Sequence, residues 1–388
     1  MTPARKQQQK GRDVGKKALT GNTTRSLGPT SEQRGCNANT NGVPSRLQQS
    51  LLNVFKNAFL LLSPVPDTPM LEDPELRRSI IQEVKGHLYN RDFARAFGSQ
   101  LYLHAYALRW GPSRALAYAD LFSFLDLTTL SRTTSRSGVL HVQRDEGAGR
   151  GPSEDEANIM CIGAGSGSEL AAWAAIFSLV SPPRLTVTIV DVADWAQPLN
   201  QLREAIIEVP EKSPYPGIAS KNHDDQPLLH TSQLHLDFRR HDVLECSQTE
   251  LKSMLADKSI VTIMFTLNEM FAKSTSSTTS FLLRLTDLIQ MGSWLLVVDS
   301  PGSYSQVALG KDGSIREYPL KWLLDYILLT LTQNRPGQKR WEKHFADDAR
   351  WFRIDRSLNY PLELENMRYQ THLYQRCTDC PVTELALC

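Results

Sequence analysis

Ile159-Met-Cys-Ile-Gly-Ala-Gly-Ser-Gly-Ser-Glu-Leu170 is the stretch whose reading decides the fold. A short apolar run enters a turn with glycine at 163, 165 and 167, and an alanine-rich helix, Leu170 to Leu179, follows at once. Strand, glycine turn and helix, in that order, form the nucleotide-binding start of a doubly wound sheet. Glycine lets a ligand approach the backbone because no Cβ stands in the way. The first turn of the helix adds unpaired N–H groups and the positive end of its dipole. Ser166 and Glu169 stand at capping-box spacing, which predicts a hydrogen-bonded helix start.

The turn by itself admits two cofactors. The dinucleotide fingerprint places glycines at the first, third and sixth positions. Here the sixth is Ser168, and the fifth, Gly167, is the glycine instead, which is the Gly-x-Gly-x-Gly turn of S-adenosylmethionine (SAM) methyltransferases. The next landmark is Leu185-Thr-Val-Thr-Ile-Val-Asp191, a β-branched run ending in an acid. It lies where such sheets place a carboxylate to accept from ribose hydroxyls. Leu234-His-Leu-Asp-Phe-Arg is a third strand that runs on to Asp242, at the place where SAM enzymes contact the adenine amine. Ser259 to Phe265 is a fourth strand leading to Asn268-Glu269, and Trp294 to Asp299 a fifth, followed by a turn through Tyr304. Ligands bind outside the carboxyl ends of such strands. Gly163 to Gly167, Asp191, Asp242, Asn268-Glu269 and Asp299 to Tyr304 are therefore expected on one rim.

The bulk numbers fit a globular chain without steering it. The 388 residues are 41% hydrophobic and 22% charged, with a net charge of +1. The charge is uneven: residues 1–50 hold nine Lys/Arg, from Arg5 to Arg46, against only Asp13 and Glu32. No apolar run reaches the length of a membrane span, and the N-terminus has no apolar signal core. Six scattered cysteines fit a reducing compartment. Cys377-x-x-Cys380, near His372 and Cys388, has no second pair, so no metal site is expected. His223, His230, His235 and His241 lack ligand periodicity and read as surface residues.

Ahead of the glycine turn the pattern is helical. Leu51, Leu52, Phe55, Phe59 and Leu62 keep the helical period. Asp73-Pro74 opens a further helix through Leu88, and Pro112 starts another. Helices are expected over Ser280 to Met291, ahead of the fifth strand, and over Pro319 to Thr332, beyond it. Residues 335–356 mix Lys and Arg with Trp341, Phe345, Trp351 and Phe352. Base stacking and phosphate neutralisation need this mixture, and an exposed helix running into a strand supplies it equally. Tyr360 to Arg376 alternates as a strand closing against Trp351–Ile354.

Several blocks together resemble the fungal large-subunit (25S) ribosomal RNA uridine-N3 methyltransferases. They are Leu88 to Phe97, Arg109-Trp-Gly-Pro-Ser-Arg-Ala115, Cys161 to Glu169, Met264-Phe-Thr-Leu-Asn-Glu269, Val297 to Tyr304 and Tyr360 to Tyr369. The resemblance covers roughly residues 85–376. It implies an α/β fold, a Rossmann-like doubly wound sheet of the class I SAM methyltransferase kind, with a C-terminal antiparallel strand pair and an N-terminal helical region. It implies SAM as cofactor at Gly163, Gly165, Asp191 and Asp242, flanked by Ala164, Gly167, Val192 and Val243. Ribosomal RNA or a pre-ribosomal particle is the implied partner, in the nucleus or nucleolus, with neither membrane nor metal. The expected organisation is a disordered basic tail (1–47), a helical region (48–130), a flexible insertion (131–158), the methyltransferase domain (159–376) and a tail (377–388). The basic tail is a nuclear address, an RNA-seeking arm or a solubilising extension.

Uridine N3 is a poor nucleophile until it loses its proton, so a base within hydrogen-bond reach is expected. Glu269 is the candidate base and Asn268 the donor that orients the uracil, with a capping or supporting role for Glu269 as the alternative. Arg91, Arg109, Arg114 and Arg368 are candidates for RNA phosphates, and Tyr304 or Trp195 for stacking. General SAM enzymes often carry an acid two residues before the first glycine. Cys161 stands there, which leaves open what holds the methionine ammonium. A protein or small-molecule methyltransferase, and a non-catalytic ribosome-assembly module, are the competing readings.

Overall fold

Seven strands form one sheet in the order β3-β2-β1-β4-β5-β9-β8. They are β1 (Glu156–Ile162), β2 (Arg184–Asp191), β3 (Leu234–Arg240), β4 (Ile260–Met264), β5 (Trp294–Asp299), β8 (Trp341–Phe352) and β9 (Met367–Arg376). The computed structural model describes residues 42–61, 73–137, 156–180, 184–208, 226–308, 315–333 and 339–377. Most of the basic tail, most of the 131–158 insertion and all of the segment after Cys377 lie outside the described residues.

The first five strands run parallel; the apolar runs of β1, β2, β4 and β5 are largely buried on both faces, and β3 is the half-exposed edge. β9 is antiparallel to β5, with Asp299 opposite Gln370, and β8 is antiparallel to β9. The chain builds outward from β1 through β2 to β3, then returns to lay β4 on the other side of β1. That reversal opens a crevice between the carboxyl ends of β1 and β4. A separate two-stranded ribbon, β6 (Tyr304–Ala308) and β7 (Ile315–Pro319), follows β5.

Helices cover both faces. One face carries α1 (Ser45–Lys56), α2 (Pro74–Tyr89), α3 (Phe93–Ala96), α4 (Gln100–Phe124), α5 (Leu127–Ser137), α6 (Ser168–Phe177) and α7 (Ala196–Ile207). Phe55, Phe122, Trp173 and Phe177 fill the layer between them and the sheet. The other face carries α8 (Gln248–Leu255), α9 (Leu267–Lys273), α10 (Thr275–Leu288) and α11 (Leu320–Asp325) over Phe271, Phe281, Trp341 and Tyr374. The helix start read at Asp73-Pro74 forms, with Asp73 accepting from the Glu75 N–H at 2.9 Å. At α8, Ser247 with Glu250 closes a full capping box, which was not expected.

Four expectations are corrected. Pro112 does not start a helix but sits inside α4, which runs unbroken from Gln100 to Phe124. A proline there removes the N–H that the carbonyl four residues back should receive. That carbonyl, Leu108 O, instead accepts from the Tyr360 hydroxyl at 2.9 Å. The stretch 341–352 is strand throughout. The other two helices are displaced: one spans Thr275–Leu288, and α11 ends at Asp325 before a wider π-type turn, Tyr326–Leu331. Among the described residues, no helix is long and apolar enough to cross a membrane.

Candidate active site

The glycine turn is shaped by protein neighbours as much as by space for a ligand. Gly163 (φ 73°) and Gly167 (φ 75°) are left-handed, a conformation that side chains resist. A Cβ at Gly163 would overlap the Thr266 side chain from the end of β4. At Gly165 it would overlap the Trp195 indole, and at Gly167 the Leu202 side chain. The expected capping box does not form. Gly167 is the cap, without a side-chain bond, and Ser166 Oγ lies 3.0 Å from Ser168 Oγ. Glu169 turns inward instead, where it is 2% exposed and accepts from the Thr262 hydroxyl. Burial there pushes it up to about 7, against the bonds from Thr262 and Cys161. Cys161 is itself fully buried beside this carboxyl.

Asp191, at the end of β2, locks the turn. Its Oδ2 accepts from the Gly165 N–H and its Oδ1 from the Ala193 N–H, both at 3.0 Å, and the Trp195 indole N–H donates to it as well. Burial raises its pKa, and those three donors together with the Val192 N–H oppose the rise. Trp195 is 2% exposed and packs against Phe97 and Tyr106 at ring separations of 5.6 and 5.9 Å. It wedges the turn against the helical side and lines the cavity at the strand ends.

Beyond β3, Asp242 accepts from the Leu244 N–H at 2.9 Å and pairs with Lys273 of α9 at 2.5 Å. At the end of β5, Asp299 is 3% exposed and accepts from the Ser300 N–H at 2.7 Å and the Asn268 N–H at 3.1 Å. Burial raises its pKa. That bond aims the start of α9 into the crevice. Phe265, between β4 and α9, has φ 57°, a left-handed conformation that a non-glycine residue adopts only where its surroundings impose it. Its N–H is tied to Val298 O at 2.7 Å.

A cavity of about 1280 Å³ occupies this rim. Glu269 is exposed to it, yet crowded by its walls. Burial, then the nearby Asp299 and Asp191 charges, push its pKa up to about 7, while Arg114 and Arg91 pull the other way. Arg114 reaches in from α4, hydrogen-bonded to the Tyr106 hydroxyl and stacked over the rings of Tyr106 and Phe265 at 5.4 and 5.6 Å.

Gly163, Gly165, Asp191, Val192, Asp242, Val243, Asn268, Glu269, Arg91 and Arg114 all line this cavity. Ala164 and Gly167 sit within the turn, behind its lining. Arg109 is elsewhere: it pairs with Glu365 and lies over the Trp110 ring. Arg368 is on the outer strand pair, over Trp351. The backbone of Tyr304 opens β6, and its side chain lies outside the description. His241, expected on the surface, is half-buried in the lining, while His223 falls outside the described residues. Tyr106, Phe265, Thr266 and Asp299 also line the cavity. Of these only Asp299 carried a sequence signal, as a strand-end acid. Among the described residues no group of His, Cys, Asp and Glu could hold a metal ion, and Cys380 and Cys388 lie outside them.

A family profile described as "Putative SAM-dependent methyltransferase" matches residues 68–375. The chain is 28% identical over 346 residues to the 25S rRNA (uridine(2843)-N(3))-methyltransferase of Saccharomyces cerevisiae, covering 84% of this chain and 85% of the relative. Among solved structures it is similar to a SAM-dependent methyltransferase of Methanosarcina mazei, at 12% identity and a TM-score of 0.32 over 57% of this chain and 93% of the other. It is also similar to the N-methyltransferase NodS of Bradyrhizobium japonicum WM9 in complex with S-adenosyl-L-homocysteine, at 12% identity and 0.29 over 66% and 87%.

Proposed function

The chain belongs to this SAM-dependent methyltransferase family, and on that premise we propose that it transfers a methyl group from SAM to ribosomal RNA, at N3 of a uridine in the large subunit. The likeness to the yeast enzyme over most of both chains carries the choice of substrate. The cavity supports the choice of chemistry, because its size exceeds the roughly 300–1,000 Å³ of a pocket for one small ligand. It has room for a cofactor and a base extruded from its stack.

The residues present fit SAM. In our reading Asp191 accepts from the ribose hydroxyls, since it stands at the carboxyl end of β2 in the lining of the cavity. Gly163 and Gly165 give backbone access, supported by Ala164 and Gly167 in the turn, with Val192 beside Asp191. Asp242 accepts from the purine amine next to Val243, sharing its carboxylate with Lys273. Bound there, SAM supplies a methyl group on a positive sulfonium.

Everything else falls to the chain. Glu269 takes the proton from uridine N3, a role for which a pKa near the working pH is the favourable one. Asn268, held through its N–H by Asp299, orients the uracil. Arg114 fixes the charge balance around Glu269, and Arg91 at the cavity wall meets an RNA phosphate. Catalysis here rests mostly on positioning. The proposal puts the protein in the nucleus or nucleolus, where fluorescence imaging would find it.

The test is transfer of label from radiolabelled SAM to large-subunit rRNA, with 3-methyluridine identified by mass spectrometry. Asp191→Ala is expected to abolish it. Label in protein or in small molecules but not in RNA would refute the substrate. Binding of SAM without transfer to any of these would point to an assembly module instead.

A further inference from the structure

Trp351 is 51% exposed at the end of β8, a costly place for an indole unless something covers it. Two guanidinium groups flank it. Arg353, two residues on, lies 5.2 Å from the ring centroid, and Arg368, its partner across β9, lies at 5.6 Å. Among the described residues neither arginine has a carboxylate partner. This sets them apart from Arg109 and Arg350, which are paired with Glu365 and Asp120. It also distinguishes the patch from the other exposed aromatic group, Tyr318, Trp322 and Tyr326, whose rings stack on one another.

The register of the sheet locates this patch. Asp299, on the cavity wall, pairs with Gln370, and Arg368 is two residues further out on the same strand face. The Gln370 amide itself donates to Ser300 O, another wall residue, at 2.8 Å. With standard strand spacing and rise, the backbone of Trp351 lies about 12 Å from that of Asp299, displaced outward past the rim.

We infer that Trp351, Arg353 and Arg368 form a docking platform for single-stranded RNA flanking the nucleotide that enters the cavity. The proposal rests on the RNA reading above and deepens it. A base stacks on the exposed indole, and the two guanidinium groups beside it neutralise phosphates on either side. The platform lies within a few nucleotides of Glu269, so it holds the strand while the target base is turned in. An acidic protein surface would satisfy the charges but leave no planar partner for the indole.

The experiment uses the full chain, Trp351→Ala and the double variant Arg353→Ala/Arg368→Ala. Fluorescence anisotropy follows binding to a labelled single-stranded RNA of about 20 nucleotides carrying central uridines, and to the same sequence as a duplex. Loss of one stacked base predicts a Kd raised about tenfold for Trp351→Ala. Loss of two phosphate contacts predicts a salt-dependence slope shallower by about 1.4 for the double variant. The duplex should compete poorly. SAM affinity by calorimetry should be the same in all three proteins, and in methyl transfer KM for RNA should rise with kcat little changed. If the parent protein methylates RNA and both variants bind it with unaltered affinity and slope, the platform is refuted and the function stands. If the parent protein neither binds nor methylates RNA, both readings fall. Binding of an acidic peptide in preference to RNA, lost in the variants, would also overturn the inference.

Discussion

Glu269→Gln removes the proton acceptor while keeping the size and polarity of the side chain. With a pKa of about 7, Glu269 is about one-tenth ionised at pH 6 and about nine-tenths at pH 8, because burial, Asp299 and Asp191 hold the proton on. The sign follows: a base works when deprotonated, so kcat/KM should climb roughly tenfold between those pH values and level off above them. Glu269→Gln should lower kcat by about 10²–10⁴-fold and flatten that climb, with SAM affinity unchanged by calorimetry. Arg114→Met removes the cation that pulls the proton off, so the rising limb should move to higher pH. The assay is single-turnover methyl transfer from radiolabelled SAM across pH 5.5–9. A flat parent profile between pH 6 and 8, or full activity in Glu269→Gln, would refute the assignment. An Arg114→Met limb shifted to lower pH would refute the electrostatic account of it.

Three further outcomes follow from geometry. Gly165→Ala drives a Cβ into the Trp195 indole, which Phe97 and Tyr106 hold in place; overpacking should cost about 1–3 kcal/mol. That lowers Tm by about 2–5 °C and weakens SAM binding, and unchanged values of both would count against the wedge. Glu169 is raised to about 7 from 4.5, so its favourable contribution is complete below about 4.5 and lost as pH rises through 7. Glu169→Gln should therefore stabilise the fold at pH 8 by up to about 3 kcal/mol and change little at pH 4.5, read by urea denaturation. Tyr360→Phe strands the Leu108 carbonyl and should cost about 1–3 kcal/mol in the same measurement.

The parallel part of the fold was legible because its signals are local. β1, β2, β4 and β5 are apolar runs that end in a polar residue or turn, β3 alternates apolar with polar, and the spacing from glycine turn to Asp191 needs no knowledge of tertiary contacts. The same locality carried Asp242 and Asn268-Glu269 to the rim. What stayed hidden depends on distant partners. Glu169 has the letters of a capping box, and only Thr262 and Cys161, brought in by the sheet, show why it turns inward. Ser247 and Glu250 have the same letters and do form the box, because no buried partner competes. Pro112 reads as a helix start until Tyr360 supplies the missing donor, and the close fit of Trp195 against Gly165 shows only once the turn is folded. The length of β8 was missed because its inward and outward residues mix charge with aromatics, so no clean alternation marks it.

Leu108 and Tyr360 are 252 residues apart, and Gln49 is joined to Asn359 by reciprocal amide bonds of 2.9 and 2.8 Å. At about 5–20 residues per second, a ribosome releases the first member of each pair some 10–60 s before the second. Throughout that interval α4 waits with an unpaired carbonyl at its proline. The nascent chain therefore has its helical side assembled but unlatched until synthesis is nearly done. A truncation just short of Tyr360 would leave that side permanently ajar, exposed to chaperones and proteases.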